Sequence, residues 1–383
     1  MAELGLSIEE GIKRVYGGGR HIVLLGAGAS IAATRRNAER GGKALPSMDN
    51  LIQVVGLEDI VETLPDHLKD ANFEALYSKL YADNPQSQEI AKINSRVRSY
   101  FSAMELPDEP TIYDYLVLSL RPKDLIATFN WDPFLYQAWT RNHNIAPLPG
   151  ICFLHGNVSI GYEGETDRSG PAGMYSPDNR KLFEPTKLLY PIGQKNYTDD
   201  PYIKGQWETV EEWLADEKTV RITVFGYGAP VSDVEAVSLL NRAWGSPDDR
   251  SKEQVDIIDV VPEEVLRQRW DGFIHSHHYT TTDSYFKSPL GQFPRRTAES
   301  YFHHFYAMTP DEAFQQHNPV PQDFRTLPEM WEWFKPLIEA EKVKSDGQSI
   351  AFKKKSTGGS STTKKKAKRK PRPRNTSKGK RRK

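Results

Sequence analysis

The chain has 383 residues, of which 38% are hydrophobic, with 51 basic and 51 acidic residues, values typical of a globular protein with one large or two smaller domains. Its single cysteine, Cys152, excludes a disulfide within the chain and a zinc site built on cysteines, which suits a reducing cytoplasm. We identify no signal peptide at the N-terminus and no apolar run long enough to cross a bilayer.

The net charge of zero hides an uneven distribution. Sixteen Lys or Arg residues and no acid lie between Lys353 and Lys383, which leaves 35 basic against 51 acidic residues in the rest of the chain. We expect residues 345–383 to form a disordered basic tail, because their composition cannot build a core. Three roles stay open for it: nonspecific contact with nucleic acid, docking on an acidic partner or on the acidic body, and solubility alone.

The predicted elements alternate strands with long helical or irregular segments. Residues 1–20 are predicted as a short helix and a loop, and Ile22–Leu25 as a buried strand. Residues 50–122 are predicted as helices, with apolar stripes at Phe73, Leu76, Tyr77 and Leu80 and at Ile90, Ile93, Val97 and Tyr100, and with Thr111 as a helix cap. Further strands are expected at Asp124–Thr128, Ile151–Leu154, Thr219–Phe225 and Val255–Val260, with a helix near Trp207–Ala215. This alternation favours a parallel sheet.

The C-terminal third is predicted to be helical again. Ala298–Met308 is one candidate helix. Thr326–Glu329 has the spacing of a capping box, and the helix that follows it should bury Met330, Trp333, Phe334 and Leu337. Residues 291–344 are therefore predicted as a C-terminal helical extension.

A glycine turn, Gly26–Ala27–Gly28–Ala29–Ser30, directly follows the first predicted strand. A strand that stops at small residues allows a nucleotide phosphate to approach backbone N–H groups. Three later loops also follow apolar runs: Thr128–Phe129–Asn130–Trp131–Asp132, Leu154–His155–Gly156–Asn157 and Phe225–Gly226–Tyr227–Gly228. Loops at the carboxyl ends of parallel strands form ligand sites, so we expect these four segments to lie together.

These motifs, in this order and approximate spacing, resemble the sirtuin-like family over most of residues 20–270. The chain departs from the deacetylases of that family, because it lacks their four-cysteine zinc module and the Pro-Asp-Phe-Arg segment after the glycine turn. It is more similar to the divergent prokaryotic branch of NAD-hydrolysing antiphage-defence enzymes. The resemblance implies a Rossmann-like doubly wound parallel sheet, an NAD-binding catalytic domain over residues 21–290 with a helical insertion at about 50–122, and no zinc.

Residue chemistry suggests roles for three side chains in breaking the bond between nicotinamide and ribose. The ribose passes through an oxocarbenium-like state, so the site must hold the sugar, steer a water or hydroxyl and manage a proton. The Asn130 amide both donates and accepts hydrogen bonds, and Asp132 can support the developing charge or orient the ribose. His155 titrates near neutral pH and is the candidate general base.

The residues predicted to bind NAD, which is expected as the substrate, surround these three. They are Gly26, Ala27, Gly28, Ser30 and Thr128 near the pyrophosphate, Gly226 and Gly228 on the opposite wall, and Asp259 at the adenine ribose. Each has a plain structural alternative as well. The glycines can form an ordinary strand–helix turn, His155 can be a strand-end histidine, and Asn130 and Asp132 can be turn and cap residues.

Four other features also bear on the predicted site. The trio His275, His277 and His278 is predicted to be a solvated or structural cluster and not a metal site. The stretch Tyr190–Trp207 either covers the nicotinamide pocket or packs as a loop. The basic residues Arg35, Arg36 and Lys43 either touch phosphate or face solvent. Cys152 is predicted as a core residue.

The resemblance implies hydrolysis of NAD to nicotinamide and ADP-ribose by a regulated defence effector. Such effectors work as homo-oligomers, often beside a separate sensor such as an Argonaute or a DNA-translocating ATPase. Two alternatives stay open. A deacylase or ADP-ribosyl transferase would need an acceptor site besides NAD, and a non-catalytic nucleotide-binding module would not depend on Asn130 or His155.

Overall fold

A computed structural model describes residues 19–39, 43–178, 180–192, 197–228, 234–245, 254–271, 273, 274, 279–298, 300 and 318–345. Its strands, in chain order, are β1 (Arg20–Leu25), β2 (Leu125–Thr128), β3 (Gly150–Phe153), β4 (Ile160–Glu163), β5 (Arg168–Pro171), β6 (Glu184–Pro185), β7 (Thr219–Phe225), β8 (Gln254–Ile258) and β9 (Tyr279–Thr282). Six of them form a parallel sheet in the order β3-β2-β1-β7-β8-β9, and β5-β4-β6 form a small antiparallel sheet.

Helices fill most of the connections between these strands. They are α1 (Ala27–Glu39), α2 (Leu51–Val55), α3 (Glu58–Glu62), α4 (Phe73–Asp83), α5 (Gln88–Ser102), α6 (Ile112–Ser119), α7 (Phe134–Asn142), α8 (Pro201–Ala215), α9 (Val234–Trp244), α10 (Glu263–Arg269), α11 (Pro289–Gln292) and α12 (Leu327–Ser345). The predicted helical block between β1 and β2 is present as α2–α6, while its status as a separate subdomain stays a prediction.

The parallel sheet is buried on both faces. Along β1, Val23 and Leu25 pack into one apolar cluster with α1, α6 and α7, whereas Ile22 and Leu24 pack into a second cluster with α8, α9 and α10. Successive side chains of a strand point to opposite faces, so the segment Ile22–Leu25, which is covered on both sides, is apolar at every position. The predicted Rossmann-like doubly wound fold is confirmed.

The predicted strands of the parallel sheet are confirmed with boundary shifts of one or two residues, and Thr219–Phe225 is confirmed at both ends. The sequence reading missed β9 and the antiparallel sheet. The residues of β9 are Tyr-Thr-Thr-Thr, and β5 and β6 are short and carry Pro or Gly, so none of these segments shows an apolar run.

The helix stripes are confirmed with two corrections. In α4 all four predicted residues are buried, but in α5 the fourth buried residue is Phe101 and not Tyr100, whose hydroxyl donates to the Ala44 carbonyl. In α12 Met330, Phe334 and Leu337 are buried, whereas Trp333 is only half-buried. Of the predicted helix Ala298–Met308, residue 299 and residues 301–308 lie outside the described residues, as do residues 1–18 and 346–383.

The turn after β1 packs directly against the turn after β7. The Gly28 N–H donates to the Gly226 carbonyl oxygen at 3.0 Å, and the Gly26 N–H donates to the Phe225 carbonyl oxygen at 3.0 Å. Gly226 has a φ of +60°, and a Cβ placed on it would lie 2.4 Å from the Ala29 nitrogen. Glycine is therefore required at 226 both for its backbone conformation and for this close approach.

We expect the substitution Gly226→Ala to destabilise the protein more than Gly173→Ala does. Gly173 also has a positive φ, +77°, but a Cβ there would meet nothing within 4 Å. The left-handed conformation costs alanine roughly 1–2 kcal/mol at either site, and overpacking adds about 1–3 kcal/mol at Gly226 alone. Urea unfolding of the two variants measures the difference, and equal losses of unfolding free energy would contradict the close approach.

Candidate functional site

A cavity of about 320 Å³ lies where the chain leaves the carboxyl ends of four neighbouring parallel strands. Its lining includes Gly26 and Ala27 after β1, Asn130–Asp132 after β2, His155 after β3 and Gly226–Gly228 after β7. The strand order changes direction between β1 and β7, and ligands of doubly wound sheets bind in the crevice at this switch point. The four sequence motifs therefore meet at one cavity.

The Asn130 side chain is held in a single orientation by its amide nitrogen. Asn130 Nδ2 donates to the Gly26 carbonyl oxygen at 2.8 Å and to Ser30 Oγ at 2.9 Å. A carbonyl oxygen only accepts hydrogen bonds, so the amide atom next to Gly26 must be the nitrogen. Asn130 Oδ1 has no partner among the described residues, and the residue lines the cavity. The amide oxygen is thus the acceptor that a ligand can use.

A buried hydroxyl chain connects Asn130 to Asp132. Ser30 Oγ donates to Asp132 Oδ2 at 2.7 Å and lies 2.6 Å from the Tyr113 hydroxyl. Because Ser30 has only one proton to donate, the Tyr113 hydroxyl donates to Ser30 Oγ in turn. Burial raises the pKa of Tyr113 far above its ordinary value, so the phenol keeps its proton. These hydrogen bonds therefore fix the orientation of each side chain between Asn130 and Asp132.

The Asp132 carboxyl group is buried in the wall of the cavity. Burial raises its pKa to about 6, although hydrogen bonds from Ser30 Oγ and from the Phe134 N–H at 3.2 Å act in the opposite direction. The carboxylate is consequently ionised at neutral pH, and it becomes protonated as the pH falls through about 6. The bond from the Phe134 N–H also places Asp132 in the turn before α7, whose N-cap residue is Pro133.

His155 is buried at the end of β3 and makes a side-chain hydrogen bond. Its Nε2 lies 3.0 Å from the Tyr197 hydroxyl, and its ring packs edge-on against Phe129 at a centroid distance of 5.0 Å. The backbone oxygen of His155 accepts from the Leu189 N–H at 2.9 Å. The imidazole therefore has a fixed position in the lining that Asn130 and Asp132 share.

Three residues that were not predicted from the sequence as part of the site also shape it: Asn157, Tyr227 and Tyr113, described above. Asn157 Nδ2 donates to the Asp132 carbonyl oxygen at 2.7 Å, which holds the β2 loop against the β3 loop. The Tyr227 ring stacks on Phe129 at 4.1 Å and forms part of the wall. In the sequence, only the position of Asn157 within the motif that contains His155 points to a place at the site. Tyr113 gave no signal, since a tyrosine among apolar helix residues is typical of a core.

Four of the residues predicted to bind NAD lie outside the lining of the cavity. The Gly28 N–H and the Ser30 hydroxyl are engaged as described above, and Thr128 Oγ1 accepts from the Asn130 N–H at 3.1 Å. Asp259 Oδ1 accepts from the Val261 N–H at 3.0 Å. These groups support the loops around the cavity, and a direct contact of the four with NAD stays a prediction.

The structure describes some of the four other sequence features and leaves parts of the rest outside the described residues. Cys152 is buried and burial raises its pKa to about 12, so it is a core residue as predicted. Within the stretch Tyr190–Trp207, Pro191 lines the cavity and Tyr197 contacts His155, so part of it does border the site. Lys43 lies over the ring of Tyr100. The histidines at 275, 277 and 278 lie outside the described residues, and nothing is described of the side chains of residues 35 and 36.

No group of three or more His, Cys, Asp or Glu side chains among the described residues is arranged to hold a metal ion. No helix within the same residues combines the length and the apolar character that a membrane span needs.

Comparisons with known proteins match this chain by structure alone. No protein-family model and no curated protein matches the sequence. Among solved structures, a serine-to-alanine variant of a Sir2 homologue bound to ADP-ribose is 12% identical, with a TM-score of 0.35, and the match covers 88% of this chain and 98% of that one. A Sir2 homologue in complex with NAD is 15% identical, with a TM-score of 0.33, and the match covers 70% of this chain and 86% of the other. The chain is thus distantly similar in structure to Sir2 homologues. Its function is argued from the geometry of the site and not from these matches.

Proposed function

We propose that this protein hydrolyses NAD to nicotinamide and ADP-ribose in the cavity at the switch point. The observation that carries the proposal is the convergence of an amide, a carboxylate and an imidazole on one cavity, through Asn130, Asp132 and His155. The motif resemblance described from the sequence points to the same substrate.

The walls of the cavity suit a dinucleotide. Ala27 begins α1, whose N-terminal end carries the positive pole of the helix dipole and favours a pyrophosphate. Gly226 and Gly228 do not form the predicted opposite wall, because the turn after β7 packs directly against the turn after β1, but both line the cavity and present backbone without a side chain. Phe129 and Tyr227 offer aromatic surface to a planar ring in the same cavity. Polar groups are few and fixed, as in most small-molecule sites.

Each of the three polar side chains has a separate task in the proposed reaction. The bond between the ribose C1′ and the nicotinamide nitrogen breaks, and nicotinamide leaves as a neutral molecule. Asn130 Oδ1 accepts a hydrogen bond from a ribose hydroxyl or the attacking water, while the Asp132 carboxylate stabilises the positive charge that develops on the sugar. The water oxygen bonds to C1′, and His155 takes the proton that the water releases.

Incubation of the purified full chain with NAD alone tests the proposal. We expect nicotinamide and ADP-ribose to form in equal amounts, with no acylated peptide or acceptor protein present, as followed by liquid chromatography. Release of nicotinamide only after an acceptor is added would favour the deacylase or transferase alternative. Binding of NAD without any product would favour the non-catalytic module.

The proposal includes regulation, as the motif resemblance implies for antiphage-defence effectors. In this view the chain acts as a homo-oligomer and responds to a partner sensor such as an Argonaute or a DNA-translocating ATPase. The same assay, run over a dilution series, examines this part. Full activity of the isolated chain at high dilution would contradict the need for assembly or for a partner.

A further inference from the structure

A second cavity, of about 450 Å³, lies between α4, α5 and residues 187–192. Its volume is within the range of roughly 300–1,000 Å³ that small-molecule sites occupy. Leu189 lines this cavity and also the proposed NAD cavity, so it forms part of the partition between them. Asn130, Asp132 and His155 do not line the second cavity.

The charged residues of this cavity favour an anion. Arg98 and Lys187 are its two basic lining residues, and Asp199 is the one acidic residue among those described. Arg98 makes no ion pair with a described residue: its Nη2 donates to the Thr186 carbonyl oxygen at 2.5 Å, and its Nη1 is buried without a hydrogen-bond partner. Burial lowers the pKa of Arg98, because its charge is partly removed from solvent. A desolvated cation without a nearby counter-charge attracts a bound anion.

Asn94 adds a hydrogen-bond donor to the cavity, and two of its tyrosines add no negative charge. Asn94 Oδ1 already accepts from the Tyr77 hydroxyl at 2.9 Å, so its amide nitrogen is left as a donor toward a ligand. Burial raises the pKa of Tyr77 to about 12, and it also raises the pKa of Tyr190. Both phenols are therefore neutral at physiological pH and add no negative charge to the cavity.

Three tyrosines give the cavity an aromatic wall. The Tyr77 ring stacks on Tyr190 at 4.6 Å and on Tyr81 at 6.4 Å. Tyr81 is 41% exposed, so its ring is accessible for stacking with a further planar group. Tyrosine faces next to cationic donors are the features that bind a planar base and its phosphate.

We propose that this second cavity is a binding site for a small anion that carries an aromatic ring, of the nucleoside monophosphate class. The Arg98 and Lys187 charges attract the phosphate, Asn94 donates a hydrogen bond, and the ring stacks on Tyr81. The proposal is independent of NAD hydrolysis, because it concerns binding at different residues.

Photolabelling of the full-length protein with 8-azido-AMP, followed by peptide mass spectrometry, locates the site directly. We expect label on the peptides that carry Tyr77 and Tyr81 or Tyr190. The substitution Arg98→Gln should reduce this label at least tenfold, whereas Lys92→Gln, at an exposed position on the same helix, should leave it unchanged. Label on Trp131 or Tyr227, in the proposed NAD cavity, should persist in the Arg98→Gln variant.

A second variant and competition experiments keep the test decisive. Tyr81→Ala changes an exposed side chain, so the protein should fold, and it should also reduce the label at least tenfold. Unlabelled AMP should compete at concentrations at least tenfold lower than adenosine or inorganic phosphate. Absence of label on these peptides, equal label in the Arg98→Gln and Lys92→Gln variants, or equal competition by phosphate and AMP would each overturn the proposal.

Discussion

The substitution Asn130→Ala should lower the rate of nicotinamide release from NAD by about 10²–10³-fold, the usual effect of removing one preorganised polar group from an active site. The reason is that Asn130 Oδ1 is the amide atom left for the substrate after Nδ2 has been bound by Gly26 and Ser30. Loss of the amide removes both the acceptor and the link that fixes its position. The rate is measured at saturating NAD by chromatography of the products.

The matched control is Asn144→Ala, because Asn144 is exposed and does not line the cavity. Its rate should equal that of the unmodified protein. Circular dichroism and the unfolding midpoint should show that the Asn130→Ala variant keeps its fold. A folded variant of this kind with an unchanged rate would rule out Asn130 as part of the reaction and would favour a non-catalytic site.

The substitution Asp132→Asn should remove a step in the pH profile of nicotinamide release. Burial raises the pKa of Asp132 to about 6, so the carboxylate is lost as the pH falls through this value. In the unmodified protein we expect Asp132 to contribute a loss of rate of about tenfold per pH unit below pH 6, in addition to any loss that comes from His155, since only the ionised carboxylate stabilises the charged sugar. In the variant the rate should be lower at neutral pH by about 10²-fold or more, and the acidic limb should be less steep because the contribution of Asp132 is absent.

His155 stays in place in the Asp132→Asn variant, so this comparison separates the two groups. An acidic limb that is as steep in the variant as in the unmodified protein would contradict the assignment to Asp132. Asp83→Asn, at an exposed position in α4, serves as the control and should leave the profile unchanged.

The Asp132 carboxyl group should stabilise the folded protein at low pH and not at neutral pH, which is the reverse of the usual effect of a surface acid. Its pKa is raised from 3.8 to about 6 in the folded protein, so between about pH 4 and 6 the folded state binds more protons than the unfolded state. The stabilisation is fully present below pH 3.8 and is lost as the pH rises through 6. A shift of this size corresponds to roughly 3 kcal/mol. Urea unfolding at pH 5 and pH 7 should show a smaller pH dependence for Asp132→Asn than for the unmodified protein.

The motifs at the strand ends could be located from the sequence because each follows a short apolar run. In a sheet covered on both faces, strands such as Ile22–Leu25 are apolar at every position, and this pattern needs no information from other parts of the chain. The helix stripe of α4 and the cap at Thr111 are equally local. The polar strand β9 and the two-residue strand β6 could not be located, because they exist only through pairing with distant strands.

The polar groups of the site could thus be identified from the sequence alone. Their hydrogen-bond partners are determined only by the tertiary structure. Asn130 and His155 stand out by their positions after buried strands, but the amide is oriented by Gly26 and Ser30, and the imidazole contacts Tyr197. Tyr113 joins the site from α6 and lies 83 residues along the chain from Ser30, which it contacts. Side-chain hydrogen bonds and the pKa of Asp132 depend on burial among such distant residues, and burial exists only after the sheet and its helices have packed together.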